Sequence, residues 1–309
     1  MTKAPIALVS LELDLHVHAV ANRLRERFGR EAHVFAVDDY ASSGELAIRY
    51  PGSTTLTDYN GDDVDLSTFG VVWWRRANQP QKEDQRFDAE TRAFISAEWR
   101  YALAAAWFGA CEGIWVNNPE ADLRSTAKSV QLRTASEVGF RIPKTLISNS
   151  PAEVRAFGEQ CGQSIIVKKV AGVTGKALAT VKLDLRNVED AAIRSSPAVY
   201  QECIFADRHF RVIAFAEYVT VISFRSNELD WRRDLGFRAV EEDARPEFVE
   251  KITSFLSRLR LRMGIFDFIM TSQGEEVFLE VNPQGQFLFL EHIAGIDLTE
   301  RCAAYLDSI

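Results

Sequence analysis

The sequence predicts an α/β protein of more than one domain, opening with a small parallel sheet and closing with antiparallel strands. Three observations carry this. Up to about residue 117, short apolar runs alternate with helix-period stretches, the pattern of a parallel sheet with crossover helices. Between residues 264 and 281, two apolar runs flank a polar turn, the pattern of a β-hairpin. The length, 309 residues, exceeds one ordinary domain at about 100–200 residues each.

In chain order, PIALVS (5–10) is a buried strand, and residues 17–28 form a helix with arginines on its outer face. Residues 33–37 and FGVVWW (69–74) are strands, the second running directly into Arg75 and Arg76. Residues 84–111 are helical and 114–116 form a short apolar piece. Asn117-Asn118-Pro119 breaks the pattern, so an N-terminal α/β domain is placed at 1–117. A helix over 123–138, ended by Gly139, opens a central subdomain at 118–200 and carries Lys128 in its middle. Pro143 leads into a strand at 145–148, and Ser150-Pro151-Ala152-Glu153 starts a helix with Ser as N-cap and Pro in the first position. SIIVKK (164–169) is a strand, AGVTGK (171–176) a flexible loop, and 177–183 and 198–204 further strands. The last subdomain, 201–309, holds strands at 209–217 and 219–225, a helix at 246–261 and the hairpin.

Composition bounds the function. With 47% hydrophobic and 26% charged residues the chain can bury a core. Forty-four acidic against 36 basic residues, net −8, argue against a nucleic-acid-backbone binder, while leaving room for a local basic pocket. No run approaches the ~18 apolar residues of a membrane span, and no cleavage site follows the first apolar run. The four cysteines are scattered without a CxxC pair, so reduced thiols in a cytoplasm are expected. Five histidines accompany no Ser or Cys motif of a hydrolase triad. His16 and His18 are spaced for a shared strand face but precede a helix and lack a third ligand. Trp73, Trp74, Trp99, Trp107 and Trp115 fall on apolar patterns; Trp231, beside Arg232 and Arg233, sits in a polar loop.

The most informative segment is GIFDFIMTSQGEEVFLEVNPQGQFLFLE (264–291). If Gln273-Gly274 is a two-residue turn, Asp267 lies opposite Glu280, and Asn282 shares their face through the strand's period of two. Phe266, Phe268, Leu279 and Val281 then face a core. Two carboxylates and an amide oxygen on one face form an oxygen-only set suited to Mg²⁺. The alternative is a solvated strand face on which two acids are neighbours.

The segment from Gly172 to Lys176 fails as a P-loop, because its spacing is short and Ala177 stands where Ser or Thr should be. It remains a glycine loop able to close backbone N–H groups over phosphates. Lys168 and Lys169 alternate on the preceding strand, so one points into a cleft. Each lysine alone, Lys128 included, reads more readily as a surface charge; their order with the acidic hairpin gives them weight. Gln201-Glu202-Cys203-Ile204 ends a strand and forms a hinge that can offer backbone groups to an adenine edge. Arg211, Arg225, Arg232 and Arg233 are candidates for phosphate or acyl-phosphate stabilisation against a surface alternative.

In this order the elements resemble an ATP-grasp ligase over nearly the whole chain, most strongly from 118 to 291. The carrying residues are Lys128, Lys168, Gly172 and Gly175, Gln201-Glu202, Asp267 and Glu280-Val281-Asn282. Within that family the chain resembles the microviridin-type peptide cyclases, the graspetide synthetases. The likeness rests on VVWWRR (71–76), residues 117–148, DWRRD (230–234) and FLEVNPQGQFLFLE (278–291). One departure is visible: where that branch carries an acid–aliphatic–Arg triplet, this chain has His209-Phe210-Arg211.

The resemblance implies an ATP-grasp fold and a two-step ligation. ATP phosphorylates a side-chain carboxylate, and a hydroxyl or amine then displaces phosphate to give an ester or amide. Asp267, Glu280 and Asn282 are expected to hold Mg²⁺, with Mn²⁺ as a substitute. Lys128 and Lys168 are expected on the α- and β-phosphates, Gly172 and Gly175 in the flap, and Gln201, Glu202 and Ile204 at the adenine. Arg211 and Arg232, with Lys168, are expected to act in catalysis. The implied substrate is a precursor peptide whose leader docks on the central region, between residues 184 and 224, and related enzymes are often homodimers. Two alternatives stay open: a ligase that adds a free amino acid to a protein or small molecule, and a nucleotide-binding regulator without turnover.

Overall fold

The computed structural model describes residues 3–77, 81–82, 84–170, 180–233 and 236–309. The chain begins with β1 (Ile6–Ser10), α1 (Leu15–Phe28), β2 (Ala32–Ala36) and a short α2 (Tyr40–Ser43). Three short strands, β3 (Leu46–Ile48), β4 (Thr54–Thr57) and β5 (Asp63–Asp65), precede β6 (Val71–Trp74), α3 (Ala89–Ala110) and β7 (Ile114–Val116). The strands β2-β1-β6-β7 form a parallel sheet, while β3-β4-β5 form a separate small antiparallel one. All five residues of β1 are buried, as a parallel strand covered on both faces requires. Leu103, Ala106 and Trp107 of α3 pack on one face. Val17, Val20, Ala21 and Leu24 of α1 pack on the other. Asp14 caps α1 by accepting from the His16 N–H, and Gly29 ends it at φ +58, where a left-handed residue closes the last carbonyls. His16 therefore lies inside a helix, and the strand-like spacing with His18 has no structural counterpart.

The helix expected over 123–138 is two helices, α4 (Pro119–Ser125) and α5 (Lys128–Glu137). Ser125 and Thr126 turn their hydroxyls back onto the Asp122 and Leu123 carbonyls, each at 2.7 Å, and the chain re-enters helix after Ala127. Lys128 is thus the first residue of a helix instead of its middle. Then come β8 (Thr145–Ser148), α6 (Pro151–Gln160), β9 (Ile165–Lys168), β10 (Val181–Leu183), α7 (Asp190–Ser195) and β11 (Ala198–Glu202). They build an antiparallel sheet of order β10-β9-β11-β8. Ile165 and Val167 face a core with α6 residues Val154 and Phe157, which leaves Ile166 and Lys168 on the opposite face, towards a cleft.

The remainder is β12 (Arg208–Phe215), β13 (Tyr218–Arg225), β14 (Ala239–Glu242), α8 (Pro246–Leu259), β15 (Met263–Met270), β16 (Glu276–Asn282), α9 (Leu288–Ala294) and α10 (Leu298–Ser308). Its sheet, β14-β13-β12-β15-β16, is antiparallel throughout. One face buries Phe210, Phe266, Phe268 and Phe278 against Phe248, Ile252 and Phe255 of α8. Ile213, Phe215 and Ile265 join a core continuous with β1, α1 and α10, so the first and last parts of the chain share one interior. Trp231 belongs to it at 8% exposure, which corrects its placement in a polar loop. No described helix is long and apolar enough to cross a membrane, and the four cysteines are free thiols.

Candidate active site

The site is built on the β15–β16 hairpin, and its register is the first thing to establish. The Gly274 N–H donates to Thr271 O at 2.9 Å and the Thr271 N–H to Glu275 O at 3.0 Å, with Met270 opposite Glu276. The tip therefore holds three residues, 272–274, with Gly274 at φ +79 in the left-handed conformation that closes such turns. This corrects the two-residue turn. A bulge between Asp267 and Phe268 takes up the odd residue, so that Phe268 faces Phe278 while Asp267 faces Glu280 and Ile265 faces Asn282. The Asp267–Glu280 opposition expected from the sequence is present because the two departures cancel. The bulge also moves Leu279: Phe278 enters the core in its place, and Leu279 lines the cleft.

Each carboxylate has a cation. Asp267, 8% exposed, accepts from Arg211 Nη1 at 2.9 Å. Glu280 accepts from Lys128 Nζ at 2.6 Å, and Arg232 Nη1 lies 3.8 Å from its other oxygen. Burial raises the Asp267 pKa above the ordinary carboxylate value, aided by the Glu280 charge and opposed by Arg211. Burial also pushes on Glu280, but Lys128, Lys168 and Arg232 outweigh it and hold the group down at about 2. The Lys168 ammonium is pushed below its usual value by burial, with Glu280 opposing. Asn282 is exposed, its Oδ1 accepting from the Gln284 N–H at 3.0 Å. Among the described residues no group of three or more His, Cys, Asp or Glu gathers as a metal site. The candidate set is instead two carboxylates and one amide.

These groups share a cavity of about 640 Å³ between the central and C-terminal sheets. Lys128, Lys168, Asp267, Glu280 and Asn282 line one part and Gln201, Glu202 and Ile204 another. Gln201 is buried and donates to Thr145 Oγ1 at 3.0 Å; Glu202 accepts from the Lys144 N–H at 3.0 Å. These bonds fix the end of β11 as one edge of the cavity. Lys169, exposed, also lines it. Arg232 is held by Asp230 at 2.7 Å, and its pKa is raised by that bond. Arg211 lies over the Trp231 and Phe289 rings at 5.5 and 5.8 Å. His209 is buried against Phe224, its Nε2 without a partner among the described residues, and burial lowers its pKa.

Of the four candidate arginines, Arg232 lines the cavity and Arg211 meets it through Asp267; the other two are not brought to it. Arg225 pairs with Asp207 at an exposed position, and Arg233 is exposed. Gly172, Gly175 and Lys176, with the rest of 171–179, lie outside the described residues, as does Asp234 of the DWRRD segment. Sequence reasoning gave no role to Arg75, Arg76, Gln284 or Gln286. The available signal was VVWW running into two arginines, since charged residues at the carboxyl ends of parallel strands mark binding crevices. Arg75 is 1% exposed and donates to Asp14 Oδ2 at 2.7 Å and to the Gln284 and Gly285 carbonyls at 3.0 and 2.8 Å. His16 accepts the Phe287 N–H on Nε2 at 3.0 Å and lies 2.8 Å from Asp14 through Nδ1. The loop that follows Asn282 is thereby fastened to the N-terminal sheet.

Solved structures share this fold. The macrocyclase MdnC of Microcystis aeruginosa MRC, bound with precursor peptide MdnA, superposes with a TM-score of 0.88 at 22% identity, covering 99% of this chain and 100% of its own. The Chryseobacterium gregarium RiPP-associated ATP-grasp ligase, in complex with ADP and a leader and core peptide, gives 0.86 at 21% over 98% and 95%. The ATP-grasp ligase PsnB, complexed with a phosphomimetic variant of a minimal precursor, Mg and ADP, gives 0.79 at 23% over 100% and 99%. No protein-family model and no curated protein matches the chain. The two sheets that close on one cleft, the acidic hairpin and the full-length superpositions establish that this chain has the ATP-grasp fold, in the form found in these peptide-modifying ligases.

Proposed function

We propose that the chain is an ATP-dependent carboxylate ligase that closes macrocycles in a ribosomally made precursor peptide. One observation carries this reading: Asp267, Glu280, Asn282, Lys128, Lys168 and the Gln201–Ile204 edge line one cavity of nucleotide size. The donor set fits Mg²⁺. It is oxygen-only, projects from paired strands, and is now neutralised by Lys128 and Arg211, which phosphates and a divalent ion can displace. Mg²⁺ when bound supplies neutralisation of phosphate charge; Mn²⁺ offers the same chemistry with the same ligand types.

The chain's own groups do the rest. Lys128 and Lys168 hold the phosphates, the end of β11 holds the base, and the Val170 to Lys176 flap with Gly172 and Gly175 excludes water. Arg211 and Arg232 stabilise the transferring phosphoryl group, which passes to the peptide carboxylate to give an acyl phosphate and ADP. A Ser or Thr hydroxyl, or a Lys amine, then attacks the acyl carbon, loses its proton and expels phosphate. The division at 1–117, 118–200 and 201–309 sets an N-terminal α/β domain before a central part with Lys128, Lys168 and the flap, and a last part with the adenine edge and the candidate metal residues. The leader docks between residues 184 and 224, where Phe205 is 82% exposed. Homodimerisation belongs to the same reading and rests on the resemblance; a cytoplasmic setting rests on the scattered cysteines.

Mass spectrometry tests it. With Mg²⁺-ATP and a short acidic peptide encoded beside the gene, the peptide loses one water per link as one ADP appears. Glu280→Ala abolishes both. An unchanged peptide, with ADP released only when free amino acids are supplied, moves the protein to the amino-acid ligases. Nucleotide binding without ADP release from either acceptor makes it a regulator.

A further inference from the structure

Asn282, the amide of the candidate metal set, is the last residue of β16, and its exposed side chain is held from the loop that follows. Side chains from elsewhere hold most of that loop. Pro283 O accepts from Asn117 Nδ2 at 3.1 Å, Gln284 O and Gly285 O from Arg75 Nη1, and Gln286 O from Arg211 Nη2. The turn itself closes on Asn282: the Gly285 N–H donates to its carbonyl at 3.2 Å and the Gln284 N–H to its Oδ1 at 3.0 Å. The loop is pressed against β15, since a Cβ at Gly285 would meet the Ile265 side chain at 2.9 Å.

Gln284 stands at the centre of this arrangement. Beyond its two backbone bonds, its Oε1 accepts the Arg76 N–H at 2.8 Å and its Nε2 donates to Asp122 Oδ2 at 2.5 Å. A backbone N–H can only donate, so the atom facing Arg76 is the amide oxygen and the nitrogen faces Asp122. One residue is thereby tied to the end of β6, to α4 and to the acidic hairpin. The same bond helps to hold Arg76 in its left-handed backbone at φ +51.

Asp122 holds its end at a cost. It is 4% exposed, its one side-chain hydrogen bond among the described residues runs to Gln284, and its Oδ1 has no partner there. A buried carboxyl with an idle oxygen opposes folding, whereas a leucine would pack in its place without that burden. Departures of this kind collect where function requires them.

We propose that Gln284, braced by Asp122, is a positioning residue for the metal site. It fixes the turn so that Asn282 Oδ1, with one lone pair on the Gln284 N–H, keeps the other for the face that Asn282 shares with Asp267 and Glu280. Gln284 itself lies outside the nucleotide cavity, in the wall of a smaller one beside it, so its effect passes through Asn282. A group that bonds to a ligand's own atoms sets the ligand's direction, and its loss weakens metal binding although every ligand is still present. The role rests on the reading of Asn282 as a metal ligand, and the two are tested apart.

The probe is Mn²⁺, its binding to the ADP-saturated protein followed by water-proton relaxation. Gln284→Met, which keeps the length of the side chain, weakens Mn²⁺ binding about 10- to 100-fold, while metal-free ADP affinity stays as in wild type. Asp122→Leu moves Mn²⁺ affinity in the same direction; Asp122→Asn, which keeps an oxygen acceptor for Gln284 Nε2, recovers it. Equal losses in Asp122→Leu and Asp122→Asn mean that the charge of Asp122 is being read instead of its bond, and overturn the role. So does a Gln284→Met protein with lowered unfolding free energy and wild-type Mn²⁺ affinity, the result for a loop anchor alone. Asn282→Ala is the reference. If it weakens Mn²⁺ binding and Gln284→Met does not, the positioning role fails and the metal reading stands; if Asn282→Ala binds Mn²⁺ as wild type does, the ligand assignment fails and the role with it.

Discussion

Two arginine–aspartate pairs flank the loop after Asn282, and they are opposites. Arg75–Asp14 is sealed at 1% and 2% side-chain exposure. Asp14 also accepts from Ser10 Oγ at 2.7 Å and lies 2.8 Å from His16 Nδ1. Because His16 Nε2 accepts the Phe287 N–H, a neutral imidazole must donate from Nδ1, and burial keeps it neutral by lowering its pKa. Burial alone would raise Asp14, yet His16, Arg75 and Ser10 together hold it well below the usual carboxylate range. Arg211–Asp267, at 9% and 12%, is open on its Asp267 side to the cleft, and its carboxyl is raised instead. Both arginines also reach the same loop, Arg75 at the Gln284 and Gly285 carbonyls and Arg211 at the Gln286 carbonyl, 2.9 Å away. A pair sealed from solvent is a strut. A pair with one side left to the cleft is available for chemistry.

The sharpest test of that contrast is Arg75→Met, which strands a buried ionised carboxylate and should cost about 3–5 kcal/mol in denaturant unfolding. Its pH signature follows from the shifts. Asp14 lies below its ordinary 3.8, so the stability it adds is present above that pH and lost as pH falls through the folded-state value. His16 lies below 6.5, so the unfolded chain binds its proton first on acidification and stability falls in that window too. Both slopes should flatten in Arg75→Met.

Arg211→Gln should lower the rate of ADP formation about 100-fold, the usual effect of removing one transition-state donor. Its unfolding free energy should change by no more than about 1 kcal/mol, because Asp267, already raised, protonates instead of standing charged. A destabilisation matching that of Arg75→Met would erase the distinction between the pairs.

Asp122 offers an intermediate case. Its Oδ2 accepts from Gln284 Nε2 at 2.5 Å, its Oδ1 is buried without a partner among the described residues, and burial lifts it to about 7 against that bond. The folded state therefore holds a proton that the unfolded chain releases near 3.8, and stability falls as pH rises from there to about 7. Asp122→Asn should be more stable than wild type by up to about 2 kcal/mol above pH 7 and equal to it near pH 4. A pH-independent difference would mean that packing, and not ionisation, separates the two.

The smallest effect is assigned to Lys128→Ala: Mg²⁺-ATP affinity about tenfold weaker by calorimetry, with unfolding almost unchanged for a part-exposed ion pair. Unchanged affinity would return Lys128 to the solvated surface.

The sequence made legible what depends on period and order. The parallel strands, the Ser150 cap, the long helices and the Asp267–Glu280 opposition follow from apolar alternation and turn chemistry. What it hid depends on compensation at a distance. The break between α4 and α5 comes from two hydroxyls that bond backward, a choice a helical apolar pattern does not reveal. Trp231 enters the core because Phe224 and Phe237 close on it from either side and Phe289 reaches it from far along the chain. Asn117, read as a breaker, makes four bonds to backbone at Arg262, Met263 and Pro283. Arg75 and Arg76 are chemically identical in sequence, yet Arg75 is buried against Asp14 while Arg76, at φ +51, is only partly buried.

The bulge at Asp267 has a consequence for how such a hairpin can change. It decouples the length of the tip from the alignment of the acidic edge, as a slip joint lets one end of a rail grow without shifting the other. A two-residue tip with no bulge and a three-residue tip with one present the same carboxylate pair. A single insertion or deletion at 272–274 without its counterpart near Leu279 turns Glu280 away from Asp267 and Phe278 out of the core together. Grafting a new tip onto this hairpin is therefore a two-site operation, and loop swaps that respect only the tip should fail by register.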